Sequence, residues 1–317
     1  SGMSRGLGDV YKRQTYWNPA GLLNIERDEI SLMHSNYFAN IANYNYISYA
    51  KNVDDESAIG FSLIRFGVDD IMDTTQLIDN QGNIDFNRIE LFSAADYAFL
   101  FSYAKKNNFL NLNYGLNVKI IRRIIGDFAN SWGFGFDLGI QHQNNKGWKF
   151  GLMARDITTT YNSWSFDEER LNDIQDAIEG QNQQIPEKSE ITLPKLQFGI
   201  SKEFLINNEY SLLGAFDLFV VFEETNDIVS TEIASINPAL GFELGYIDLV
   251  YLRLGVGNFQ NEIQYDSSEK LSFQPNFGIG FNMNNIEINY AFTDIGNQST
   301  ALYSNIFSLK FNPSFLK

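Results

Sequence analysis

The chain has no cysteine, which removes structural disulfides, thiolate nucleophiles and cysteine-ligated metals together. Histidine is nearly absent as well: His34 and His142 stand far apart, without a second histidine at ligand spacing. Basic residues number 23 against 39 acidic ones, a formal charge of -16. Nucleic-acid binding needs clustered Lys and Arg to displace counterions, so nucleic acid is excluded as a partner. No stretch reaches 18 uninterrupted apolar residues, so no transmembrane helix is expected. That absence leaves transmembrane strands open, because their alternating residues never give a hydropathy peak.

Signatures of enzymes are missing too. No GxSxG nucleophile elbow, phosphate-binding loop or HExxH helix occurs, and no cofactor is expected. Asp79–Asp85 (DNQGNID) alternates oxygen ligands around Gly82, but the glycine falls at position four of the loop, where an EF-hand needs it at six. A polar loop turn is the better reading. Asp54-Asp55-Glu56 and Asp69-Asp70 read as solvated turns, and Arg122-Arg123 as a strand-end anchor at a membrane interface, with lipopolysaccharide or loop contacts as the alternative. Residues 1–14 contain no signal-peptide pattern. The string DVYKRQ at Asp9–Gln14 is also the translation of a transposon-end sequence used in library adapters, so this segment is expected to be adapter-derived.

What is present in quantity is aromatic residues, 27 Phe, 16 Tyr and 4 Trp, arranged with a period of two. Leu110, Leu112, Tyr114, Leu116, Val118 and Ile120 face one way; Asn111, Asn113, Gly115, Asn117 and Lys119 face the other. Trp132–Gln141 repeats the design, its second face being Gly133, Gly135, Asp137, Gly139 and Gln141. Such runs predict fourteen strands, at 28–35, 41–52, 56–66, 95–105, 110–121, 132–143, 148–157, 191–204, 209–222, 235–245, 247–256, 270–282, 286–293 and 303–312. Most are near the 9–11 residues or so that cross a bilayer at a tilt. Connections alternate: short at 53–55, 106–109, 144–147, 205–208, 246 and 283–285, longer at 67–94, 122–131, 158–190, 223–234, 257–269 and 294–302, with the first, 36–40, shorter than the others of its long set. A soluble β-protein also alternates, but its solvent face would carry Lys, Glu and Thr, whereas here the second face is Gly, Asn, Ala and Ser. The expectation is an all-β transmembrane antiparallel barrel over 28–312 with a short tail at 313–317. It would sit in the bacterial outer membrane against lipid and lipopolysaccharide, with both termini periplasmic.

The segment before the first strand, 15–27, holds the motif YWNPAGL at Tyr16–Leu22. Pro19 fixes the chain, Gly21 permits a tight bend and Trp17 supplies an anchor, which together predict a rigid packed turn. This motif resembles the one near the N-terminus of the PorV/PorQ group of Bacteroidota outer-membrane proteins, within the wider FadL-like barrels. The resemblance continues through LFSAADYAFLFSYAKK (91–106), VKIIRRIIGDFANSWGFGFDLG (118–139), GWKFGLMARDITTTYNSWSF (147–166) and ITLPKLQFGISKEF (191–204). It implies a fourteen-stranded FadL-like barrel whose N-terminal plug joins the wall through Trp17, Asn18, Pro19, Ala20 and Gly21.

Two functions follow as expectations. The PorV/PorQ resemblance implies type IX secretion, with binding of cargo C-terminal domains and the translocon. The surface for it would be the long connections 67–94 and 158–190, in the second of which Asp167–Glu179 predicts a short helix carrying Asp167, Arg170, Leu171, Ile174 and Ile178. The alternative is FadL-like transport of hydrophobic small molecules, which needs an apolar pocket inside a polar lumen and a kinked strand. Lumen-side Leu100 and Met153 fit such a pocket, and ordinary packing explains them equally well.

Overall fold

A computed structural model describes residues 16–37, 41–78, 81–167, 188–263, 268–283, 285–293 and 304–313. The strands are β1 (Glu29–Tyr37), β2 (Ala42–Asn52), β3 (Ser57–Asp73), β4 (Glu90–Asn107), β5 (Leu112–Ile125) and β6 (Ala129–Gln143). There follow β7 (Trp148–Arg155, resuming as Thr160–Phe166), β8 (Ser189–Thr192, continuing as Lys195–Leu205) and β9 (Tyr210–Val221). The wall is completed by β10 (Ser235–Tyr246), β11 (Val250–Ile263), β12 (Glu269–Met283), β13 (Ile286–Thr293) and β14 (Ser304–Phe311). Each strand pairs antiparallel with its sequence neighbours, and β1 pairs with both β2 and β14, so fourteen strands close into a barrel. Closure abolishes the exposed edges that an open sheet of this size would carry. Ile30 lies opposite Phe311, so the chain enters and leaves the wall at the same rim, here called the near rim.

Alternation decides the faces. Phe101, Trp132, Phe134, Leu252, Phe277 and Phe307 point outward and are about half exposed, while Ser102, Asn117, Asp137 and Gln141 point inward and are buried. This is an ordinary β-barrel turned inside out. The outer apolar surface far exceeds the few hundred Å² found on soluble monomers, and it takes hydrocarbon as its solvent. Aromatic girdles border it. At the near rim Lys202 lies over Trp148 and Phe204, and Tyr210 packs on Tyr246. At the far rim Tyr97 and Trp132 flank Arg122 in one outward row. Among the described residues no helix is long and apolar enough to cross a membrane.

The far-rim boundaries differ from those predicted. β3 and β4 run on to Asp73 and from Glu90, leaving a connection of 74–89 in place of 67–94. β5 and β6 meet in a tight turn at 126–128, so the supposed long connection 122–131 is mostly strand. Thr160–Phe166 is strand within the supposed loop 158–190, and β11 reaches Ile263. Asp69-Asp70 is no free turn but a bulge within β3, where the register to β4 shifts between Val68 and Ile71 and Asp70 takes φ 58. A second bulge interrupts β11 between Gly257 and Gln260. Each bulge resets which side chains face inward. Above the hydrocarbon band the outer face no longer needs apolar residues, so period-two alternation fades before the hydrogen-bonded ladder ends.

Candidate functional site in the lumen

The YWNPAGL segment lies inside the barrel as a short 3-10 turn, Pro19–Asn24. Asn18 caps it: its Oδ1 accepts from the Ala20 amide at 3.0 Å, and its Nδ2 donates to the carbonyls of Ile140 (3.3 Å) and Leu152 (3.2 Å). A fully buried amide with this many partners costs little to desolvate and pins the turn to β6 and β7. Asn24 donates to Gln141 Oε1 at 3.0 Å, and Asn52 donates to the Ile25 carbonyl at 2.9 Å. Trp17 packs with Tyr44, Tyr46, Ile64 and Leu100, and Leu22 with Ala58 and Ala104. The wall glycines make the space. A Cβ on Gly115 would stand 2.5 Å from the Ala20 nitrogen, and one on Gly139 would collide with Asn18 Oδ1.

Beside this turn a polar network crosses the lumen face. Lys119 Nζ donates to Asp137 at 2.7 Å and Asp156 at 2.5 Å. Ser102 donates to Asn117 Oδ1 (2.7 Å), Asn117 to Asp137 Oδ2 (3.2 Å), and the Asp156 amide to Asp137 Oδ1 (3.0 Å). Thr160 Oγ1 donates to Asp156 Oδ1. The network sits where β7 breaks. Opposite β8, Arg155 pairs with Lys195 and Thr160 with Thr192, so four residues, 156–159, face Leu193 and Pro194. Asp156 and Thr159 adopt φ 53 and 57, and Pro194 has no N–H to offer the wall. The Ile157 amide keeps one bond to the Phe136 carbonyl, 3.0 Å long.

A cavity of about 370 Å³ lies behind this break. Trp17, Ile64, Leu100 and Ile121 give it an apolar side; Lys119, Arg123, Arg155 and Lys195, together with Asp137 and Asp156, give it a charged one. The Arg155 guanidinium is 4.5 Å from the Tyr16 ring centre and 5.7 Å from that of Trp17. Gln197, nearly fully buried in the lining, holds an Nε2 with no hydrogen-bond partner. The volume falls within the range of roughly 300–1,000 Å³ that small-molecule sites occupy.

The structure thus gathers Trp17, Asn18, Pro19, Ala20 and Gly21 into one buried turn against the cavity. Leu100, as expected, lines the cavity, and Met153 is buried on the inward face. Of the expected partner-binding residues, Asp167 ends β7's side of the far rim, its amide donating to the Phe128 carbonyl at 2.9 Å. Arg170, Leu171, Ile174 and Ile178 lie outside the described residues, as do Asp79 and Asn80 of the polar loop. His34 and His142 are on the outer wall, bonded to Asn45 Oδ1 and the Asn111 carbonyl. Arg122 and Arg123 separate: Arg122 faces outward over Trp132, and Arg123 inward, 2.8 Å from Glu190. Among the described residues no three His, Asp or Glu side chains form a metal-sized cluster. The lumen charges Lys119, Asp137 and Arg155 had been missed as a site, although charged residues on the inner face of three adjacent strands were visible in the alternation.

The sequence matches no family model and no curated protein. Solved structures do match. The toluene transporter TodX of Pseudomonas putida superposes with a TM-score of 0.58 at 11% identity, covering 98% of this chain and 96% of that one. A FadL homologue from Pseudomonas aeruginosa gives 0.53 at 12% identity, over 98% and 97%. The fold is that of the FadL-like outer-membrane barrels. CymD, a monoaromatic hydrocarbon channel, also aligns, with a TM-score of 0.54, 10% identity and coverage of 98% and 94%. At these identities the likeness concerns the fold.

Proposed function

We propose that this protein is an outer-membrane channel that binds hydrophobic small molecules in its lumen and passes them across the membrane. The observation that carries this reading is the placement of the half-apolar cavity directly behind the break in β7. The packing of Trp17 on Ile64 and Leu100 leaves these side chains, with Ile121, also lining open space beside a wall segment with fewer hydrogen bonds. Structural neighbours described as a toluene transporter and a hydrocarbon channel support the same reading. The buried turn Pro19–Asn24 serves as a plug, and the short connections, on the rim where β1 begins and β14 ends, face the periplasm, as outer-membrane barrels arrange them.

The test is tryptophan fluorescence of the purified barrel titrated with brominated alkanes and bromobenzene, using Trp17→Phe to isolate the Trp17 signal. Saturable quenching of Trp17, abolished by Leu100→Lys, is expected, together with uptake of the same compounds in cells. Quenching indifferent to Leu100→Lys would overturn the proposal. The type IX reading, with translocon and cargo domains as partners, rests on the sequence resemblance alone.

A further inference from the structure

The outer wall carries a row of polar and aromatic residues that the lumen reading does not use. Arg65 on β3 is registered with Tyr97 on β4, Tyr97 with Arg122 on β5, and Arg122 with Trp132 on β6. All four point outward. The next outward row toward the near rim is wholly apolar: Leu63, Phe99, Ile120 and Phe134 in the same register. Strands are spaced by about 4.8 Å, so the two guanidinium-bearing strands lie about 10 Å apart. That span suits one lipid headgroup with acyl chains laid on the row beneath.

The hydrogen bonds within the row hold the cations in place. Arg65 donates Nη2 to Asp69 at 2.5 Å and Nε to the Tyr97 hydroxyl at 3.4 Å. Arg122 donates Nη1 to Asn130 Oδ1 at 2.7 Å and to the Ser131 carbonyl at 3.5 Å, with its guanidinium 4.8 Å from the Trp132 ring centre. Among the described residues Arg122 has no carboxylate partner. A guanidinium stacked on indole at the edge of a hydrocarbon band, its charge uncompensated, is matched by a phosphate that sits at the same depth.

We infer that Arg122, Tyr97, Arg65 and Trp132 form a seat for a phosphorylated glycolipid of the outer leaflet, with Arg122 as the main phosphate contact and Arg65 held back by Asp69. The inference rests on the far rim facing outward, as in the proposed function, but not on what the lumen carries. Failure of hydrocarbon uptake leaves it untouched.

The experiment is native mass spectrometry of the detergent-solubilised barrel incubated with phosphorylated lipid A, the same lipid A dephosphorylated, or phosphatidylglycerol. The wild type is expected to retain phosphorylated lipid A preferentially. Arg122→Gln should lower retention about fivefold, the worth of one cation near a charged lipid surface. Asp69→Asn should raise it by freeing Arg65, and Lys202→Gln at the opposite rim should leave it unchanged. Equal retention of the phosphorylated and dephosphorylated lipid, or of phosphatidylglycerol and lipid A, overturns the assignment. If Arg122→Gln loses the heat-modifiable migration of a folded barrel, Arg122→Lys and Asp69→Asn carry the test, and unaltered retention in both overturns it.

Discussion

The Asn18 carboxamide occupies the space that a side chain at position 139 would need. Any Cβ on Gly139 collides with Asn18 Oδ1 and crowds the Pro19 ring at 2.8 Å, so the glycine in the wall and the asparagine in the turn require each other. Gly139→Ala must therefore displace a residue that holds three hydrogen bonds. The expected cost is about 1–3 kcal/mol, the range for overpacking a filled interior. Heat-modifiable gel migration should show a lower unfolding temperature for Gly139→Ala and none for Gly214→Ala, whose new Cβ meets only Phe242 at 3.9 Å.

Lys119 bridges two carboxylates, Asp137 and Asp156, at the β7 break. Lys119→Met leaves Asp137 and Asp156 facing each other without it, and removing one partner of a buried ion pair costs about 3–5 kcal/mol. The double variant Lys119→Met/Asp156→Asn should recover part of that loss in urea unfolding. Hydrogen exchange at the Ile157 amide should accelerate in the single variant before the rest of the wall does, because that amide holds the break to Phe136. Uniform acceleration around the barrel would contradict a local role.

Leu116 sits outward within the apolar band, one row in from Tyr114 and three rows from Arg122. Leu116→Arg should destabilise the barrel in vesicles by up to about 2–4 kcal/mol, the cost of a cation facing lipid at the midplane being the upper bound. Leu116→Phe should be close to neutral. Equal behaviour of the two variants would mean that this face does not meet hydrocarbon.

Trp17 bridges the turn and the cavity. Trp17→Ala should cost about 3–5 kcal/mol through the lost packing on Tyr44, Ile64 and Leu100. It should also enlarge the apolar side of the cavity, so that bulkier ligands bind relative to small ones. Competition binding with a series of alkylbenzenes would reveal that shift; an unchanged order of affinities would place the ligand elsewhere.

Much of this architecture was legible in the chain because facing is a local property. Successive residues on a strand point to opposite sides, so Leu116 and Asn117 declare lipid and lumen without any knowledge of their neighbours. An even number of such runs, with apolar residues on one face and small polar ones on the other, already specifies a membrane barrel, and Asn18-Pro19 already specifies a rigid turn. Register, shear and depth are not local. Only the closed wall brings Gly139 against Asn18, sets Lys119 between two aspartates from different segments, and opens a cavity behind the break at 156–159. Those placements depend on hydrogen bonds between segments far apart in the chain, and the alternation within a strand reads the same whichever partner the strand meets.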